Sequence, residues 1–485
     1  MKNVNASKLN TINCQDFSQI NWQDNEFSSD SFASSFYNFN LKTKKIKGGL
    51  GISEATIPLA NEMGAEMAHL NTSAHSLDSI NKVLYFRQYF PASNNTQHRL
   101  LIHGADNKLY VHQMYSGTGN LLWLYQLTFD SAPICLTYKL NGNDTIILSS
   151  PEKMIVWTTN QTPYQVTDVP IITSMCISNN VLFCTIAGEA DKIWFNTSLN
   201  PELIGTTSSY TQYLTLGDER GYARKILTFK ENLYVFRDYG ITRINYFYTT
   251  NIDVKQVYLS DSKIFADTVK VCGDVVMFLT RDGLYSFDGV NVKKQTLGLE
   301  HLLDKDNYFA TAECLQDKYY LALKMDFKDN KKILCENQDF KNNVLLVVDL
   351  QDFSYEIMRG VDVKSMLPLK TEIVEKMLVT FNSGNVDKIG EIDSSSKYFE
   401  TELPKFYETN KLFDENIVIR KIFVNTTAGV TIKFVTDDGE YEFTSYTDGV
   451  NEFETIIPCK QLKLKIETDT DNCEINQIKI KYYKK

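Results

Sequence analysis

A hairpin that recurs at intervals in the forties constrains this chain more than any other feature. An apolar strand runs into a Gly, Asp, Asn or Lys turn, and a second strand follows that opens on Leu or Ile. The copies are HRLLIHGADNKLYVHQ, DTIILSSPEKMIVWTT, NVLFCTIAGEADKIWFNT, NLYVFRDYGITRINYF, DVVMFLTRDGLYSFDG, a long-looped copy ending NNVLLVVDL, and KMLVTFNSGNVDKIGEID. The residues opening the second strands are Leu109, Ile155, Ile193, Ile241, Leu284, Leu345 and Ile389, at intervals of 46, 38, 48, 43, 61 and 44 residues. One hairpin cannot bury its apolar face alone, whereas a closed ring of four-stranded blades can. A strand-built period in the forties is the spacing of a β-propeller. The pattern therefore predicts an all-β chain with a propeller of seven blades.

Three segments follow from this pattern. Residues 1–52 are read as an extended, polar N-terminal arm with a ring-closing strand, LKTKKIK (41–47), that completes the last blade near 377–392. Residues 53–397 hold the propeller. Within the connection 53–82, Leu59, Met63, Met67 and Leu70 have the spacing of one helical face. Residues 398–485 change to short strands and charged turns, IVIRKIFV, VTIKFVTDDGEYEFTSY, EFETIIP, KQLKLKIET and EINQIKIKYYKK. Leu462, Leu464 and Ile466 alternate with Lys463 and Lys465, Ile475, Ile478 and Ile480 repeat the theme, and Asp438-Gly439 is a hairpin turn signal. This part reads as a small antiparallel β-sandwich.

Charge and cysteine usage narrow the function. The net charge of −10 argues against a surface that clings to nucleic acid, though not against a wall that DNA slides past. The nine cysteines form no CxxC pair and no Cys/His cluster, so neither a zinc site nor a disulfide framework is expected, and no cofactor. The N-terminus has no signal-peptide core, and the apolar runs are strand length, so no membrane anchor and synthesis in a cytoplasm are expected.

Several phrases resemble the β-propeller virion proteins of tailed bacteriophages, of the tail hub, nozzle or DNA-stabilisation type. They are FYNFN (36–40) followed by basic residues and Gly-Gly, DKIWFNTSLNPELI (191–204), RKILTFKENLYVFRDYGITRI (224–244), TRDGLYSFDGVNVKKQT (280–296) and VTDDGEYEF in the final part. The order arm, propeller, sandwich is similar too. The resemblance implies a structural protein of the virion tail or head–tail region. Its copies would form a homo-oligomeric ring, a hexamer by analogy, that contacts portal, adaptor or other tail proteins. Double-stranded DNA would pass without sequence-specific binding.

Enzyme signatures are lacking. No GxSxG, HExxH, P-loop or Rossmann glycine run occurs. Glu189/Asp191 and Asp218/Glu219 are sequential turn residues rather than two acids facing one sugar bond, and His103 and His112 read as a surface pair across one hairpin. No catalytic or metal residue is assigned, and the chain is read as a non-enzyme. The candidate interface residues are Lys42, Lys44, Lys45 and Lys47, which suit an acidic partner or a phosphate backbone, and the aromatics Tyr246, Phe247 and Tyr248. The alternatives are a tail-tip receptor or carbohydrate-binding propeller and, second, a polysaccharide-cleaving propeller.

Overall fold

The computed structural model describes residues 9–20, 32–59, 66–72, 77–114, 121–196, 200–201, 204–205, 211–246, 252–327, 340–383, 386–427, 429–468, 470 and 473–485. Among them, seven sheets succeed one another in chain order, and each contains an antiparallel run of four strands. Blade 1 comprises Ile80–Phe90, Asn95–Gly104, Lys108–Met114 and Leu121–Thr128. Blade 4 comprises Ala223–Phe229, Asn232–Arg237, Gly240–Tyr246 and Ile252–Leu259. Blade 6 comprises Thr311–Leu315, Lys318–Leu323, Val344–Asp349 and Tyr355–Arg359. Every marker residue from Leu109 to Ile389 lies on the third strand of its blade, and all are buried. The repeat in the sequence is thus the repeat in space.

Both faces of each blade are covered by its neighbours, so the inner strands are almost continuously apolar. In blade 1, Leu109 and Val111 pack against Ile146, Leu148 and Trp157 of blade 2. Tyr110, on the opposite face, packs in the cluster formed with Leu378 and Ile389 of blade 7. Blades 2 and 3 meet through Val156 and Leu182, blades 3 and 4 through Phe183 and Val235, and blades 4 and 5 through Phe236 and Phe278. Blades 5 and 6 meet through Met277 and Leu321, and blades 6 and 7 through Leu345 and Phe381. The chain of interfaces returns to its start, so the fold is a seven-bladed β-propeller.

The ring is closed by the N-terminal segment, but not by the expected strand. Gly51–Glu54 supplies the fourth strand of blade 7 and pairs antiparallel with Val386–Asp393, with Ile52 opposite Ile392. Gly390 makes this possible. A Cβ there would lie 2.3 Å from Ile52 Cγ2 and 2.7 Å from Phe381 Cε1. LKTKKIK turns at Lys44 and contributes only its end to a strand, Ile46–Gly48, which pairs with the C-terminal sheet.

The arm is likewise not free. Asn10–Cys14 pairs with Glu474–Lys484, and Phe32–Tyr37 pairs with Lys405–Thr409. Arm and C-terminal part therefore form one two-sheet unit rather than separate segments. In it, EFETIIP and KQLKLKIET are one strand, Gly449–Thr468, that crosses from one sheet to the other. The expected alternation holds: Leu462, Leu464, Ile466, Ile475, Ile478 and Ile480 are all buried. The Val430–Thr436/Gly439–Ser445 hairpin turns through Asp437 and Asp438, with Gly439 opening the second strand.

Two further expectations change. Residues 53–82 carry a strand hairpin, Thr56–Leu59 with Glu66–His69, instead of a helical face. Met67 is 54% exposed while Leu70 is 1% exposed, and Met63 lies outside the described residues. Cys272 and Cys314 form a disulfide between the first strands of blades 5 and 6, 42 residues apart with a Cα–Cα distance of 5.7 Å. Local spacing did not show this pair because its members sit one blade apart.

Candidate functional site

The lysine run lies where the N-terminal segment is stitched between blade 6 and the sandwich. Lys42 pairs with Asp349 at 2.5 Å. Lys45 and Lys47 both reach Glu474, at 2.8 and 3.3 Å, and together they hold its carboxyl below the usual range. Lys44 is exposed at a turn with φ 61°, and its carbonyl accepts the Phe17 N–H at 3.0 Å. Three of the four candidate cations are therefore occupied within the chain. Beside them Asn38, in the left-handed region at φ 58°, ties three elements together. Its Oδ1 accepts the Arg359 N–H at 2.8 Å, and its Nδ2 donates to the carbonyls of Pro404 at 2.8 Å and Arg359 at 3.3 Å. Asn40 donates to Glu356 at 2.8 Å, and burial pushes the Glu356 carboxyl up to about 7.

Of the aromatic candidates, the Tyr246 backbone ends the third strand of blade 4, opposite Ile252. Its side chain and the whole of Phe247 and Tyr248 lie outside the described residues. A different aromatic group stands on loops at one end of blades 4–6. Tyr222, Tyr239, Tyr308 and Phe309 are exposed there. Arg224 sits 4.7 Å from the Tyr222 ring, Lys263 5.0 Å from Tyr308, and Lys341 5.3 Å from Phe309. Arg281 donates to Tyr308 Oη at 2.6 Å and pairs with Asp306 at 3.1 Å. Cations over aromatic faces gain attraction from the ring quadrupole. Because these loops come from separate blades, no local motif announces them.

The remaining candidates are structural. His103 and His112 are both buried, against the surface pair expected, and His103 Nε2 lies 2.7 Å from the Phe129 carbonyl oxygen. Glu189 pairs with Lys192, while Asp218 binds Arg220 and the buried Arg237. Among the described residues no group of three or more His, Cys, Asp and Glu is placed to hold a metal ion. No helix there is long and apolar enough to cross a membrane.

The first strands of the blades surround the propeller axis and touch in sequence, blade 3 with blade 4, blade 6 with blade 7, and blade 7 with blade 1. Lys82, Cys135, Lys225, Lys270 and Glu313 stand on the first strands of blades 1, 2, 4, 5 and 6. Lys82 feels the charges of Asp267, Lys270 and Glu313, and Lys225 feels those of Lys82 and the same three groups. Burial pushes the Lys225 ammonium down to about 8, and Lys270 adds like-charge repulsion.

No family model matches the chain, and no curated protein does. Solved structures with some likeness include BBS1N in complex with ARL6DN, 12% identical over 61% of this chain and 86% of that one, with a TM-score of 0.38. Hsv2 of Kluyveromyces lactis is 9% identical over 65% of this chain and 93% of its own, with a TM-score of 0.36. The AfRom2 CNH domain is 11% identical over 53% and 93%, with a TM-score of 0.28. Nothing in these likenesses bears on what this chain does.

Proposed function

We propose that the protein is a structural component of a tailed-phage virion, a ring-forming hub or nozzle of the tail or head–tail channel. The observation that supports this reading best is the way one chain makes a rigid unit and a contact surface. The N-terminal segment is woven into both the last blade and the sandwich, so the two parts cannot slide freely. The sandwich then exposes large apolar side chains, Tyr446 at 84%, Val450 at 65% and Ile456 at 67%. Such exposed apolar residues suit contacts between protein copies. The acidic balance suits a wall past which DNA slides. Mass photometry of the purified chain, alone and with portal and adaptor proteins, tests the proposal. Closed rings, or co-sedimentation with particles, are expected. A strict monomer that joins neither is the outcome that removes the reading.

A second reading, a receptor- or carbohydrate-binding propeller at the tail tip, is favoured by one observation, the exposed Tyr239 together with Tyr222, Tyr308 and Phe309 beside their cations. Aromatic faces are stacking platforms for sugars. Glycan-array binding that disappears on Tyr308→Ala, in a chain that forms no rings, would select this reading over the first.

A further inference from the structure

We infer that the outer sheet face of the C-terminal unit docks onto the same face of a second copy of this chain, about a two-fold axis running along the strand Asp414–Thr426. Four adjacent strands build this face, in the order Gly449–Thr468, Asp414–Thr426, Glu474–Lys484 and Asn10–Cys14. Side chains alternate between the two sides of a sheet. Cys14, Ile422, Val424, Ile478 and Ile480 point into the core, so their neighbours along each strand point outward. Register fixes the outward rows. Phe423 lies between Glu452 and Lys479, Lys421 between Glu454 and Lys481, and Asn425 between Val450 and Gln477. One flank of the central strand is therefore acidic and the other basic, at matching levels.

The charges on this face are only half used within one chain. Lys421 bridges Glu452 at 2.7 Å and Glu454 at 2.8 Å, and both glutamates remain open to solvent. Lys479 and Lys481 form no ion pair among the described residues. Lys481 instead sits 5.0 Å from the Phe423 ring. A shallow cavity of about 180 Å³ opens here, lined by Phe423, Asn425, Val450, Gln477, Lys479 and Lys481. Val450 and Ile456 stand exposed on the acidic flank and give the face its apolar content.

A half-turn about an axis above Phe423 exchanges the two flanks without shifting levels along the strands. The flanks stand about 4.8 Å to either side of the central strand, so each falls on the opposite flank of the second copy. Glu452 then faces Lys479 of the second copy and Glu454 faces its Lys481, and both contacts are returned. Val450 comes to lie over Gln477 of the second copy, at the cavity. The two Phe423 rings meet at the axis, and each Lys421 there is already held between its own glutamates. Facing sheets stand about 10 Å apart and cross at about 30°, a gap that Glu and Lys side chains span together. A polyanion would meet the glutamates, and a small acid would leave Val450 and Ile456 bare, so a second copy suits the whole pattern. The face measures roughly 20 Å by 25 Å, so a pair buries on the order of 1,000 Å², the low end for a specific contact. The contact is therefore weak and sensitive to salt. A ring joins two different surfaces head to tail, whereas this contact uses one surface twice, so the inference goes beyond the ring reading and stands without it.

Sedimentation equilibrium of the full chain, at about 1 to 100 μM, tests it with charge-swapped variants. The parent chain should pair with a micromolar dissociation constant, less tightly as salt is added. Lys479→Glu/Lys481→Glu sets acids over acids, and Glu452→Lys/Glu454→Lys sets cations over cations. Each variant alone should pair at least about tenfold more weakly. Mixed in equal amounts, the two regain all four cross-copy ion pairs and should associate about as tightly as the parent. All four positions are on the outer face, so both variants should keep the parent's melting point. Should either fail to fold, Phe423→Lys decides, because it sets two ammoniums together at the axis and should abolish pairing. Rings with portal and adaptor proteins are scored in the Lys479→Glu/Lys481→Glu chain, so a failed pair and a failed ring are read separately. A parent chain that stays monomeric throughout, pairing that ignores salt or survives the charge reversals or Phe423→Lys, or variants that do not recover on mixing would overturn the inference.

Discussion

Cutting Ile52 back to alanine strips the side chain that seals blade 7. Ile52 is fully buried among Phe381, Tyr398, Met377 and Val379, which come from the far end of the propeller sequence. Truncations of this kind cost about 2–5 kcal/mol. The rigid aromatic surroundings cannot collapse far, which places the cost at about 3–4 kcal/mol. Gly390→Ala perturbs the same contact from the other side. Its new Cβ meets Ile52 Cγ2 at 2.3 Å and Phe381 Cε1 at 2.7 Å, and overpacking of this sort costs about 1–3 kcal/mol. Combining the two changes removes the Cγ2 that the new methyl strikes and partly refills the cavity. The pair should therefore be less destabilised than the sum of the singles by about 1–2 kcal/mol, the Phe381 clash remaining. Urea unfolding followed by tryptophan fluorescence reads the three midpoints. Additivity within about 0.5 kcal/mol would mean that the two residues do not touch. The ring would then not be closed by Gly51–Glu54, and the argument for a stitched, rigid unit would fail with it.

Asn38→Ala removes three side-chain hydrogen bonds, two of them buried, and leaves a non-glycine residue at φ 58°. A loss of about 3–4 kcal/mol is expected in the same urea assay, and a loss below about 1 kcal/mol would show that the stitch is held elsewhere. Glu356 takes up a proton on folding, because burial raises it from 4.5 to about 7. The folded state binds more protons than the unfolded state between those values, so its stabilising share is present at low pH and lost as pH rises through about 7. After allowance for solvent screening this amounts to about 2 kcal/mol. Glu356→Gln should abolish that decline, and parallel stability–pH curves for parent and variant would contradict it.

The repeat was legible because each blade must solve the same local problem. Leu109, Ile155, Ile193, Ile241, Leu284, Leu345 and Ile389 all lie on a third strand whose two faces are covered, and the residue types say so without reference to partners. The alternation of Leu462, Leu464 and Ile466 was readable for the same reason. Strand identity at the closure was not. LKTKKIK and GISE are both short, both flank the Gly48-Gly49 pair, and both could have offered an edge. Which one completes blade 7 depends on how Ile52 fits over Gly390 and against Phe381, and no local pattern carries that fit. The lysine run read as an open edge because Glu474 and Asp349, which occupy it, are remote in sequence. The group of Lys82, Lys225, Lys270 and Glu313 on the first strands had no motif at all, since its members come from four different blades.

The order of residues alone thus determined that this protein is a ring of β-blades followed by a second β unit, because burial of an apolar face is decided by neighbours two positions away along a strand. Only the tertiary structure decided which segment closes the ring, that arm and C-terminal strands form one unit, and which charges meet at the axis. Those outcomes depend on contacts between residues hundreds of positions apart, whose free energy exists only once the ring has brought them together.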